Sequence, residues 1–116
     1  MVNLMNIRTF LAAVLLGIGL ASSAGAQIVS QAYEVALDNF RAPATQNGSV
    51  SFKECDSCNT RLVRVTENTR YTINDEPVRL DDFRKAISHV SDRASKTVTV
   101  LHHLESDTVV SVSVSL

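Results

Sequence analysis

The last eight residues alternate so strictly that they leave one fold element open to them. Val110, Val112, Val114 and Leu116 fall on one side of the chain, with Val109, Ser111, Ser113 and Ser115 on the other. A period of two is the signature of a β-strand with one face buried, and a strand this rich in Val needs partners along its edges. Thr97 to Leu104 alternates in the same way through Val98, Val100, His102 and Leu104, with Glu105-Ser106-Asp107 between the two runs. The chain therefore closes on a hairpin with a single apolar face.

Earlier pairs of alternating apolar residues predict three more short strands, through Val50 and Phe52, Val63 and Val65, and Tyr71 and Ile73. Between the third and fourth strands, Asp75-Glu76-Pro77 breaks the pattern. Leu80, Phe83, Ile87 and Val90 then follow at helical spacing behind Asp81 and Asp82, which predicts a helix from Asp81 to Arg93 with its acids at the positive end of the dipole. Upstream, Val29, Ala32, Tyr33, Ala36, Leu37 and Phe40 form an apolar stripe of helical period. An N-terminal helix is predicted there, in preference to a strand reading through Tyr33, Val35 and Leu37. Pro43 and the turn pair Asn47-Gly48 end it and begin a linker.

The expected fold class is α+β: a small five-stranded antiparallel barrel of OB type, or an open sheet, with one helix between strands three and four and a helix at the N-terminus. The predicted organisation is a signal at 1–26, a helix and linker at 27–48, and the sheet domain at 49–116.

The signal is read from Arg8, the apolar run Phe10 to Leu20 and the small-residue end Ala24-Gly25-Ala26, which predicts cleavage before Gln27. The apolar run is 11 residues long, whereas a helix needs about 20 to span a bilayer. The expected product is a periplasmic or secreted protein that meets the membrane only during export.

Arg8 is the one cation, and there is no carboxylate, before residue 27, so the remainder carries 10 Lys and Arg against 12 Asp and Glu. That balance argues against nucleic acid as a partner. Gly48 is the one glycine after the signal, which excludes a glycine-rich phosphate loop and a nucleophile elbow.

The run Thr69, Tyr71, Ile73, Asn74, then Val78, Leu80, Asp82, Phe83, then Val98-Thr99-Val100 and Val110 to Val114 resembles small exported OB-like domains of unknown function. The resemblance covers Leu62 to Leu116. It implies a fold and carries no active residue. The chain departs from those domains in placing a helix where they have a Gly-rich turn, and in its cysteine pair.

Cys55-Asp56-Ser57-Cys58 is the constellation with most chemical content. In an exported protein the pair is expected to form a disulfide across a turn between two strands. Redox catalysis would need the first thiol stabilised as a thiolate, commonly at a helix N-terminus. The residues after Cys58 read as a strand instead, with Lys53 and Arg61 as the nearest cations. A metal site would need Cys55, Cys58 and a third ligand, His102 being the candidate. Haem attachment fails because Asn59, not His, follows Cys58.

Arg61, Arg64, Arg70 and Arg79 cluster around strands two and three, and with Tyr71 they are the candidate binding residues for an acidic ligand or partner. The bland alternative is a solvated strand face interleaved with Glu67, Asp75 and Glu76. Asp81 and Asp82 are adjacent on a helix and point about 100° apart, so they cannot share one proton as an acid and base pair. No cofactor is implied. The sequence predicts a non-enzymatic binding or accessory protein with an unspecified protein or small-ligand partner in the cell envelope; thiol-redox or metal handling through Cys55 and Cys58 is the alternative.

Overall fold

The structure is a computed structural model that describes residues 29–116. The expected signal and its cleavage point lie outside the described residues. Eight strands and one helix follow: β1 (Ser30–Ala36), β2 (Phe40–Arg41), β3 (Ser49–Phe52), β4 (Arg61–Arg64), β5 (Arg70–Ile73), β6 (Glu76–Val78), α1 (Leu80–Ser88), β7 (Thr97–His103) and β8 (Thr108–Ser115). Single 3-10 turns occupy Leu37–Asn39 and Arg93–Ser95.

The strands form one mixed, open sheet in the order β1-β7-β8-β4-β3-β2, with β5 joined to β8 and β6 to β5. This corrects the expected five-stranded antiparallel barrel: β4 and β5 both run parallel to β8, and no ladder joins the two ends of the path. The chain itself connects those ends, because β1 passes through the 3-10 turn straight into β2.

The predicted N-terminal helix is also corrected. Residues 30–36 are a strand paired with β7 along its whole length, from Ser30 opposite His103 to Ala36 opposite Thr97. The strand reading set aside at the sequence level is the one that folds. Tyr33, Val35 and Leu37 are buried, while Ala32 turns out to solvent. A short helical stripe has little stability of its own, and a seven-residue edge offered by β7 outweighs it.

One further strand, β6, occupies a place where the sequence shows only a break. Asn74 and Asp75 both take positive φ, 51° and 70°, and so form the two-residue hairpin turn between Ile73 and its partner Glu76. Pro77 lies in β6, which pairs with β5 alone. Such an edge tolerates a residue with no amide to donate. The helix is shorter than predicted. It ends at Ser88, and the guanidinium of Arg93 donates to the Ile87 carbonyl, so a cation closes the negative end of the dipole.

The final hairpin holds with one change. Between Leu101 and His102 the β7–β8 register shifts, and Val110 has no partner on β7. This bulge puts Val109 inside with Val112 and Val114, and leaves Val110 37% exposed. Val98, Val100 and Val112 are fully buried at the centre. Phe83 of α1 closes one end of the core, edge-on to Phe40 at 6.4 Å and tilted against Tyr71 at 5.3 Å.

Candidate functional site

Strands β3 and β4 pair from Ser49–Arg64 to Phe52–Arg61, and residues 54–60 between them project as an exposed tip. Cys55 and Cys58 are disulfide-bonded there, with Cα atoms 5.0 Å apart. The Cys58 amide donates to the Cys55 carbonyl at 3.1 Å, so the bond closes a tight turn. Asp56, at the apex, is tied back twice. Its carbonyl accepts from Lys53 Nζ at 3.2 Å, and its Oδ1 accepts from Asn39 Nδ2 at 3.0 Å.

The two cations nearest the cysteine pair in sequence are committed elsewhere. Lys53 holds the Asp56 carbonyl. Arg61 pairs with Glu54 at 3.1 Å and lays its guanidinium 5.2 Å from the centre of the Tyr33 ring, a cation–π contact. No helix begins after Cys58; the chain runs through Asn59 and Thr60 into β4. Leu62, next along the strand, is 70% exposed.

His102 lies away from any such role. Its Nε2 is 2.7 Å from Asp107 Oδ1, its side chain is 13% exposed, and its buried Nδ1 has no partner. Among the described residues no group of three or more His, Cys, Asp and Glu is placed to hold a metal ion.

The remaining candidate binding residues do not converge. Arg64 and Arg70 are exposed, Arg64 opposite Thr108 and Arg70 opposite Ser111 on the same edge of β8. Arg79 precedes α1 as its N-cap without a side-chain cap. Tyr71 is 5% exposed, its hydroxyl has no partner, and burial pushes its phenol up to about 12.

One constellation has little warning in the sequence. His103 Nδ1 is 3.0 Å from Ser106 Oγ across the β7–β8 turn, and Ser106 Oγ is 2.7 Å from Thr108 Oγ1. It resembles a nucleophile beside its base, but the Ser106 amide also donates to His103 Nδ1, at 3.2 Å. That nitrogen has one lone pair in the ring plane, and a general base needs it free. The arrangement closes a turn. Only the His-x-x-Ser spacing at a strand end hints at it.

The fold and site define a small mixed-sheet protein with a disulfide-clipped hairpin. Compared with family models, curated proteins and solved structures, the chain matches none. Among the described residues no helix is long and apolar enough to cross a membrane.

Proposed function

We propose that this chain is a small exported, non-enzymatic binding or accessory protein of the cell envelope, whose Cys55–Cys58 bond serves architecture. The observation that carries this reading is the bonded pair at the exposed tip of the β3–β4 hairpin. Disulfides persist where thiols are kept oxidised, which agrees with the export signal read from residues 1–26. Closing so short a loop contributes about 2 kcal/mol by the chain-entropy account, enough to fix a turn and small beside a core. Leu62, exposed on β4 just beyond the clipped tip, adds an apolar contact beside polar residues.

Thiol counting on protein taken from the periplasm, with and without reductant, tests the reading. Sulfurs that stay unreactive until reductant is added, in a protein whose Cys-to-Ser double variant still folds and binds its partner, support it. Exposure of both cysteines to solvent favours one competing reading, a thiol-redox or metal-handling protein. Bound zinc, or a thiol that exchanges under mild conditions, selects that reading instead.

A further inference from the structure

One edge of β8 serves two strands. Thr108 pairs with Arg64 of β4, and Ser111 to Val114 pair with Arg70 to Ile73 of β5. Since β4 and β5 are consecutive and share that edge, the chain between them must leave the sheet at Val65 and return at Thr69. The sheet forks there.

Buried Thr69, 8% exposed, pins the fork. Its hydroxyl donates to the Val109 carbonyl at 2.7 Å and accepts from the Thr66 amide at 3.0 Å. The same stretch of β8 carries the bulge that turns Val110 outward. Bulges commonly re-aim a side chain beside a site.

The fork opens a depression of about 650 Å³. Its polar lining comes from three places: Thr66 and Asn68 on the β4–β5 loop, Arg70 on β5, and His103, Ser106 and Thr108 around the β7–β8 turn. No carboxylate lines it. Arg70 has no ion pair or side-chain hydrogen bond among the described residues.

The Ser106 amide fixes the neutral tautomer of His103. With Nδ1 accepting, the ring hydrogen sits on Nε2, which becomes a donor. Thr66 Oγ1 accepts from the Asn68 amide at 3.1 Å, so its own hydrogen is left to give. Val110, turned outward by the bulge, supplies an apolar wall.

We propose that the fork between β4 and β5 binds a tetrahedral oxyanion carrying an apolar substituent, of the phosphate or sulfate monoester class. Arg70 is the charged anchor, and His103 Nε2 and the Thr66 hydroxyl are the neutral donors. Val110 packs against the substituent. Donors arriving from three elements suit an anion with oxygens in three directions better than a planar carboxylate. The site is separate from the disulfide tip, so its failure leaves the reading of the cysteines standing.

Titration of the purified protein with phenyl phosphate, inorganic phosphate and benzoate, followed by amide and imidazole NMR shifts, tests it. Phenyl phosphate is expected to shift Asn68, Ser106 and His103 saturably with a Kd of about 1 mM. Inorganic phosphate should bind about fivefold more weakly for want of the apolar contact. Arg70→Gln should weaken phenyl phosphate about tenfold or more. Arg64→Gln, one strand away, should change it less than about twofold.

His103→Phe keeps an aromatic ring but removes the Nε2 donor together with the Nδ1 acceptor of the turn, and is also expected to weaken binding; it serves if Arg70→Gln unfolds. Absence of saturable shifts, equal losses from Arg64→Gln and Arg70→Gln, or benzoate binding more tightly than phenyl phosphate would each overturn the proposal.

Discussion

Two hairpin turns of the molecule are fixed by opposite means. The β3–β4 turn is held by a covalent bond between Cys55 and Cys58, while the β7–β8 turn is held by hydrogen bonds between His102 and Asp107, His103 and Ser106, and Ser106 and Thr108. A disulfide restricts the unfolded chain and asks little of the residues it encloses. A polar network asks for particular residues in particular rotamers, and it leaves oriented donors at its rim as a by-product. The clipped turn accordingly ends in an exposed tip suited to contact, and the hydrogen-bonded turn ends beside a polar depression.

The largest expected effect lies at the fork, where the Thr69 hydroxyl is buried. Thr69→Val keeps the volume but leaves the Val109 carbonyl and the Thr66 amide without their partner. A loss of about 2–3 kcal/mol in urea unfolding is expected. A loss under about 0.5 kcal/mol would mean that the bulge holds without its pin.

Replacing Cys55 and Cys58 together by Ser should cost about 2 kcal/mol or less, with the β7–β8 amide shifts unchanged. Spread of those shift changes across the sheet would erase the distinction between the two turns.

That covalent turn was the more legible of the two. The Cys-x-x-Cys spacing between two alternating runs already implied a bonded turn, because a cysteine pair between two strands, with no helix start beside it, has few other uses. The hydrogen-bonded turn was not legible, since His, Ser, Asp and Thr at a strand end are ordinary turn residues until register places them. The alternating valines gave the β7–β8 hairpin but not its bulge. Val110 is left unpaired where the opposite edge of β8 changes partners, and sequence pattern does not contain partner choice.

Residues 30–36 misled in the same way: their apolar spacing fits both periods, and the free edge of β7 decided between them. Of the candidate binding residues, exposed Arg64 and Arg70 and buried Tyr71 share one stretch of sequence but not one face.

A smaller effect is expected at the apex of the second turn. Asp107 has φ of 56° and accepts or shares a hydrogen with His102. Asp107→Ala should cost about 1 kcal/mol, from left-handed backbone and the lost contact together. Asp107→Asn, which tolerates that backbone and retains an acceptor, should stay within about 0.5 kcal/mol in the same assay.

The smallest effect is a gain. Tyr71→Phe removes a buried hydroxyl that has no partner and should raise stability by about 0.5 kcal/mol at neutral pH. The phenol is raised from 10.0 to about 12 by burial, so the unfolded chain releases this proton first. Its contribution is fully present below pH 10 and is lost as pH rises through about 12. Alkaline unfolding of the variant should therefore fall less steeply than that of the parent; matching slopes would show that Tyr71 ionises in the folded state as freely as in the unfolded one.

The central claim is that the sulfurs of an exported chain are there to hold a turn. Intact-mass analysis of the native protein, without reductant and with a thiol-alkylating reagent present from lysis onward, addresses it most directly. The account predicts a chain beginning at Gln27, two hydrogens lighter than its reduced form and carrying no alkyl group. A chain that retains residues 1–26 and bears two alkyl groups would contradict it.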